Sequence, residues 1–242
     1  MIQRGYKMKL TTILFDLDGT LLPMNNDDFT KGYFKLLVKK LAPYGYEQHE
    51  LVDAIWKGTA AMVKNDGRLS NYDVFWKAFA DTLGERVYET KSVFDDFYEN
   101  EFEQAKALCG LNRKAAEAVK MLKERGYRVA LASNPIFSIT AQKARIMWAG
   151  VAPDEFELIT SYENSAYCKP NPDYYTDIAK KLGVAPEECL MIGNDVDEDM
   201  IAETVGMSVF LLTDNIIDRE NKDISAYPNG GFDDMLEYLR RI

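Results

Sequence analysis

Short apolar runs that alternate with helix-like stretches constrain this sequence more than any other feature. The runs are rich in β-branched residues, and most of them end in polar residues. They lie at 10–18, 127–134, 156–161, 189–195 and 207–214. Strands that alternate with helices at this spacing predict a parallel sheet that is covered by helices on both faces. We therefore predict an α/β fold built on a doubly wound parallel sheet.

One long stretch breaks the alternation. Residues 24–108 show helical patterns throughout, with no strand signal among them. This predicts an all-helical insertion after strand 1, so that the α/β core consists of residues 1–23 and 109–242. Aromatic residues recur at helical spacing inside the insertion, and we predict that they form its core rather than a substrate-stacking surface: Phe75, Trp76 and Phe79.

Composition narrows the classes of partner. The formal net charge is -10, and an acidic protein repels both phosphate backbones and anionic lipid. No apolar run approaches the roughly 20 residues that a membrane-spanning helix needs. The basic N-terminus, MIQRGYKMKL, is not followed by an apolar signal core. We therefore predict a cytoplasmic protein that binds neither nucleic acid nor membrane, and the oligomeric state stays open.

The first strand-like run ends in the motif FDLDGT, which contains Asp16 and Asp18. In an extended strand, residues i and i+2 point the same way, so two carboxylates would face one spot. Such a pair repels itself unless a cation or a proton lies between its members. Gly19 would then let the backbone turn sharply. We interpret this motif as a reactive site rather than as a pair of capping acids.

Polar pairs also follow two other predicted strands. Ser133 and Asn134 end the run at 127–134, and Asn194 and Asp195 end the run at 189–195. In parallel α/β sheets the functional crevice lies at the carboxyl ends of the strands. The sequence therefore predicts that these residues meet Asp16 and its neighbours at one edge of the sheet.

Together these motifs resemble the haloacid dehalogenase superfamily, whose members are mostly phosphatases. After DxDGT, that family has a Ser or Thr after the second strand, then a Lys that is often followed by Pro, then an acidic cluster. Here ALASN supplies Ser133, CKPNP supplies Lys169, and IGNDVDED supplies Asp195 and Asp199. The resemblance spans residues 16–199 and implies a Rossmann-like core with a helical cap inserted after the first motif.

The resemblance also implies a role for each matched residue. Asp16 would attack phosphorus and form an aspartyl-phosphate. Asp18 would protonate the leaving oxygen and later deprotonate the attacking water. Ser133 would hydrogen-bond a phosphoryl oxygen, with the backbone amide of Asn134. Lys169 would offset the negative charge of Asp16 and the phosphoryl group.

The implied cofactor is Mg²⁺, because the available ligands are hard oxygens without a His or Cys cluster. By resemblance, the ligands would be the Asp16 side chain, the Asp18 backbone carbonyl and an acid of the last motif. Many relatives have Gly-Asp where this chain has Gly-Asn, so either Asn194 or Asp195 fills that place. We favour Asp195, since a carboxylate holds Mg²⁺ better than an amide. Asp199 would orient a metal-bound water.

The leading functional hypothesis is Mg²⁺-dependent hydrolysis of a small soluble phosphomonoester, with the cap closing over the site. A phosphomutase or other phosphotransferase acting on a sugar phosphate would use the same motifs, so this alternative stays open. A non-catalytic binding domain of the same fold is a third hypothesis, disfavoured because the nucleophile and the lysine are both present. A dehalogenase is disfavoured by Asp18, which such relatives do not use as an acid/base.

Overall fold

The structure, a computed structural model, describes residues 9–242, so the first eight residues of the predicted core segment 1–23 lie outside the described residues. Five strands form one sheet in the order β2-β1-β3-β4-β5, and all neighbouring strands are parallel. They are β1 (Thr12–Phe15), β2 (Arg128–Leu131), β3 (Cys189–Gly193), β4 (Ser208–Leu212) and β5 (Asn229–Gly230).

Both faces of the sheet are buried, which explains why the strands read as continuous apolar runs. Alternate residues point to opposite faces, so Ile13 and Phe15 belong to one apolar cluster and Leu14 to the other. Helices α5 (Lys114–Glu124), α6 (Ile139–Trp148) and α8 (Phe232–Arg241) contribute to the first cluster; α7 (Pro172–Leu182) contributes to the second. The predicted doubly wound α/β fold is confirmed.

Four α-helices lie in the chain between β1 and α5. They are α1 (Asn26–Leu41), α2 (Gln48–Val63), α3 (Asn71–Leu83) and α4 (Lys91–Glu99), followed by a 3₁₀ helix at Glu101–Leu108. Side chains cap two of them: Asn25 accepts from the N–H of Asp28 before α1, and Ser70 accepts from the N–H of Asp73 before α3.

The two ends of this helical stretch lie side by side. Met24 and Cys109 form an isolated antiparallel bridge, and the N–H of Gly110 donates to the Pro23 carbonyl at 2.7 Å. The stretch therefore leaves and rejoins the α/β part at one place. These junctions coincide with the predicted limits of the insertion, whose division into domains stays a prediction.

The helical stretch touches the α/β part at a second place, the start of α3. The N–H of Asn71 donates to the Ser165 carbonyl at 2.8 Å, and the N–H of Tyr72 donates to the Tyr162 carbonyl at 2.7 Å. The fully buried Asn71 side chain also donates to the Pro135 carbonyl at 3.3 Å. Hydrogen bonds therefore tie the first residues of α3 to the loops after β2.

The sheet differs from the prediction in two elements. The predicted strand at 156–161 is wrong: only Ile159 forms a bridge, to Leu131, although the segment runs beside β2. The two-residue strand β5 was not predicted, because Asn229 and Gly230 carry no apolar pattern. Within residues 9–242, every helix is too short or too polar to cross a bilayer.

Candidate active site

The candidate site lies where the strand order changes direction, between β1 and β3. In doubly wound sheets, ligands bind outside the carboxyl ends of the strands at this point. Asp16 directly follows β1, and its N–H donates to the Ile192 carbonyl of β3 at 2.9 Å. Asn194 directly follows β3. The sheet thus brings the two predicted motifs together, as the sequence analysis expects.

Lys169 joins two carboxylates at the centre of the site. Its Nζ lies 2.9 Å from Asp16 Oδ1 and 2.6 Å from Asp199 Oδ1, and its side chain is only 1% exposed. Burial lowers the pKa of Lys169, but the attraction of both carboxylates outweighs it, so the pKa lies well above its usual value. The lysine therefore stays protonated between the two acids.

Burial acts in the opposite direction on the two acids. It raises the pKa of Asp199 to about 6 against the attraction of Lys169, and it also raises the pKa of Asp16. The other oxygen of Asp199, Oδ2, accepts from the N–H of Asp195 at 2.9 Å. Asp199 therefore holds Lys169 in place from behind, while Lys169 faces Asp16.

Thr20 links Asp16 to Asn194. Its hydroxyl lies 3.3 Å from Asp16 Oδ2 and 3.1 Å from Asn194 Oδ1, so both oxygens share one donor. The Asn194 amide is oriented by the Asn215 carbonyl, which accepts from Nδ2 at 2.6 Å. Gly19 has a φ of +82°, and a Cβ there would lie 2.3 Å from Asn194 Nδ2. Glycine at this position therefore lets the backbone lie this close to the Asn194 side chain.

Asp195 has other partners. Its Oδ1 accepts from the N–H groups of Asp197 and Glu198, both at 2.9 Å, and its Oδ2 accepts from Arg219 at 2.8 Å. The sequence interpretation preferred Asp195 over Asn194 as the metal ligand. In the structure, the Thr20 hydroxyl that contacts Asp16 also contacts the side-chain oxygen of Asn194, not that of Asp195.

Asp18 forms an ion pair with Arg145, a residue that the sequence analysis missed. Its Oδ2 pairs with Arg145, a fully buried side chain on α6. Arg145 also donates to Gln142 Oε1 at 2.6 Å, and its guanidinium lies 4.2 Å from the centre of the Phe137 ring. The second oxygen, Asp18 Oδ1, is buried without a hydrogen-bond partner among the described residues. The two aspartates of the first motif therefore have different cationic partners.

Ser133 and Asn134 lie beside these acids at the end of β2. Both line the same cavity as Asp16, and the Ser133 carbonyl is fixed by the hydroxyls of Thr160 and Tyr174. Ser138 caps α6, which begins shortly after these residues.

Asn134 contacts an acid that the sequence analysis does not include among the candidate site residues. Asn134 Nδ2 donates to Glu198 Oε2 at 3.1 Å. Glu198 is half-buried, and burial raises its pKa to about 7. Its side chain lines the cavity with Asn134, so Glu198 belongs to the site.

The donors present suit a hard cation. Among residues 9–242, no group of three or more His, Cys, Asp or Glu side chains converges as a metal cage. Mg²⁺ needs no such cage, since proteins commonly hold it through one or two carboxylates, several waters and the phosphate of a substrate. The oxygens of Asp16 and Asn194 and the unpartnered Oδ1 of Asp18 are donors of this kind.

A cavity of about 230 Å³ opens from these residues toward the helical stretch. Asp16, Ser133 and Lys169 lie on its wall together with side chains from α1 to α4. A ligand in it would touch the acids at one end and the helices at the other.

Comparison with known proteins places this geometry in a family. The chain is 23% identical to pyrophosphatase PpaX of Bacillus cereus over 78% of the chain and 76% of the relative. It is 29% identical to the bifunctional riboflavin kinase/FMN phosphatase of Arabidopsis thaliana over 86% of the chain, which spans only half of that relative. The crystal structure of 2-haloacid dehalogenase from Pseudomonas syringae matches with a TM-score of 0.62 and 16% identity, covering 96% and 98% of the two chains, which shows the shared fold.

The family model of the haloacid dehalogenase-like hydrolases matches residues 10–202, which include all the site residues that the sequence analysis singled out. Since this match spans most of the 242 residues, the chain belongs to the haloacid dehalogenase-like hydrolases.

Proposed function

We propose that this protein is a Mg²⁺-dependent phosphohydrolase that acts on a small phosphomonoester through an aspartyl-phosphate at Asp16. The observation that carries the proposal is the buried arrangement of Asp16, Lys169 and Asp199 at the strand switch point. A carboxylate beside a permanently charged lysine can approach an anionic phosphoryl group, which would otherwise repel it. Two relatives are named as a pyrophosphatase and an FMN phosphatase, which supports phosphoryl chemistry.

In the first half of the reaction, an oxygen of Asp16 forms a bond to phosphorus as the bond from phosphorus to the ester oxygen breaks. The departing oxygen takes a proton, for which Asp18 is the proposed donor. In the structure, however, Asp18 Oδ2 pairs with the guanidinium of Arg145. We therefore infer that this pair separates before Asp18 donates its proton.

In the second half, Asp18 takes a proton from water, whose oxygen attacks phosphorus. The Asp16–phosphorus bond breaks, phosphate leaves, and the carboxylate returns to Lys169. Ser133 and the backbone N–H of Asn134 are the proposed donors to the phosphoryl oxygens throughout.

Bound Mg²⁺ would supply positive charge to the phosphoryl oxygens and to Asp16. The proposed ligands are the Asp16 side chain, the Asp18 backbone carbonyl and a residue of the last motif. Two residues are candidates for the ligand from the last motif. Asn194 is supported by the Thr20 hydroxyl, which contacts both Asn194 and Asp16. Asp195 is supported by the charge of its carboxylate. Asp199 contributes to the site by holding Lys169, and its side chain is buried rather than solvent-exposed.

We further propose that residues 24–108 form a cap domain on a core of residues 1–23 and 109–242. The bridge between Met24 and Cys109 supports this division, since chain entry and exit lie side by side there. A cap that closes over the site would exclude bulk water from it.

Phosphate release from a panel of phosphomonoesters, with and without Mg²⁺, tests the function. Asp16→Asn nearly keeps the side-chain shape but removes the nucleophile, so release should fall at least about 10³-fold. Lys180→Met, which changes an exposed lysine on α7, is a control that should keep native activity. An Asp16→Asn protein as active as the native one would overturn the proposal.

A phosphomutase or phosphotransferase is the alternative, and product analysis separates it from a hydrolase. A bis-phosphorylated sugar incubated with the protein would yield free phosphate by hydrolysis but a positional isomer by transfer.

A further inference from the structure

The far wall of the active-site cavity is aromatic. Eight aromatic side chains from the helical stretch and two from the α/β part, Phe137 and Tyr162, line it. Phe75 and Trp76 are among the eight, so these two residues, which the sequence analysis assigns to the core of the insertion alone, both pack in that core and face the cavity. The rings pack on one another: Phe75 lies 6.3 Å from Tyr162, and Tyr33 lies 5.5 Å from Phe137, each edge to face. Such mutual packing holds the rings in place before a ligand arrives.

This wall carries no charge among the residues that the structure describes. The lining side chains from 24–98 are apolar, aromatic, or neutral polar residues such as Asn26, Thr30 and Thr59. The hydroxyls of Tyr33 and Tyr98 bond each other at 2.7 Å, and burial raises the pKa of Tyr98 to about 12, so both stay neutral.

The cationic side chains that line the cavity lie at its other end. Of the described residues, these are Lys169 and Arg219, and each already faces a carboxylate. This end of the cavity can therefore bind one phosphoryl group. A second phosphoryl or carboxylate group on the same ligand would lie against the aromatic wall without a cation, which costs its hydration.

We propose that the substrate is a monophosphate ester whose leaving group is an uncharged, compact aromatic group, bound by the aromatic wall beside Asp16. The cavity volume of about 230 Å³ suits this size, since a cavity of about 150 Å³ accommodates benzene. The buried indole N–H of Trp76 meets no acceptor in hydrogen-bond geometry among the described residues, although it lies close enough to the Tyr162 hydroxyl to act against the rise in the pKa of that group. It is free to donate to a polar substituent of the ring.

This inference rests on the proposed phosphohydrolase function, and the test separates the two. Benzyl phosphate and ethyl phosphate are both esters of primary alcohols, so their chemical reactivity is similar and their difference reports the pocket. We expect kcat/KM for benzyl phosphate to exceed that for ethyl phosphate by about 100-fold. Carboxymethyl phosphate and pyrophosphate, which carry a second anionic group, should fall below ethyl phosphate.

Two outcomes are distinct failures. If no ester in the set releases phosphate with Mg²⁺, the proposed function fails. If benzyl and ethyl phosphates are hydrolysed equally well through Asp16, the function stands and the aromatic substrate class is overturned. Binding gives a readout without turnover: benzylphosphonate should quench tryptophan fluorescence at about 100-fold lower concentration than ethylphosphonate, and equal affinity would also overturn the substrate class.

A matched pair of variants on α2 places the effect in the cavity. Thr59 lines it and is half-buried, whereas the adjacent Ala60 is exposed and does not line it. Thr59→Lys should lower kcat/KM for benzyl phosphate at least about tenfold and raise the relative use of carboxymethyl phosphate. Ala60→Lys should change neither, and an unaltered preference in Thr59→Lys would overturn the assignment of this wall.

Discussion

Replacing Lys169 with Met tests the central arrangement of the site without relying on its function. The change removes an ammonium that lies 2.9 Å from Asp16 and 2.6 Å from Asp199. The side chains of the two acids are only 11% and 1% exposed, so water cannot simply replace the lysine. Two carboxylates would then face a buried methionine.

Removing one partner of a buried ion pair costs about 3–5 kcal/mol of unfolding free energy. Two contacts reduce this cost: Asp199 keeps the N–H of Asp195, and Asp16 keeps the Thr20 hydroxyl. We therefore expect the lower part of the range, about 3 kcal/mol near neutral pH. For a chain of this size, that lowers the Tm by about 6–12 °C.

The loss should depend on pH with a definite sign. Burial without the lysine raises the pKa of both acids further above the unfolded value of 3.8, so the folded state binds more protons than the unfolded state. Stability of the variant then falls as pH rises from about 4 through the raised pKa values. The Tm deficit against native protein should be larger at pH 8 than at pH 5.

Thermal unfolding in EDTA measures this, with Lys180→Met as the matched surface control on α7. Adding Asp199→Asn to Lys169→Met should restore at least about 1 kcal/mol, because one of the two facing charges is gone. A Tm within about 2 °C of the control at pH 8 would refute the described contacts of Lys169.

Three further outcomes follow from the site. Arg145→Met leaves Asp18 without its cationic partner and should lower the unfolding free energy, measured in urea, by about 3–5 kcal/mol. Arg145→Lys, whose ammonium lacks the planar fork of a guanidinium, should recover only part of this loss. Native stability in Arg145→Met would contradict the pairing of Arg145 with Asp18. Gly193→Ala puts a Cβ 2.1 Å from Asp199 Oδ2 and should cost about 1–3 kcal/mol by urea unfolding; native stability would contradict this packing. Asn194→Ala should raise the Mg²⁺ concentration for half-maximal phosphate release about tenfold, and Asp195→Asn by less; the reverse order would favour Asp195 as the ligand.

The strands of the sheet were predictable where burial on both faces left a continuous apolar run, as in β1 and β3. The segment 156–161 has the same signal but forms only one bridge, because apolar residues report burial and not ladder pairing. Strand β5 is two residues long and is defined by its pairing with Leu211 and Leu212, which no local pattern encodes.

The site residues that follow the strands, or that belong to the ordered motifs, were predictable from the sequence. Asp16, Lys169 and Asp199 meet as the motif order implies. Arg145 was missed, because its partner Asp18 lies 127 residues away in the chain and an isolated Arg on a helix is most often solvated. The place of Asn194 depended on Thr20 and Gly19, whose contacts exist only after folding.

The hydrogen bonds at the start of α3 give the helical stretch a spectroscopic reporter. The amide protons of Asn71 and Tyr72 are held by carbonyls across the junction, not within their own helix. They can exchange with deuterium only when α3 separates from the loop at Tyr162 and Ser165. Their exchange rates therefore measure the opening equilibrium directly, and a ligand that bridges Asp16 and the aromatic wall should slow both amides together.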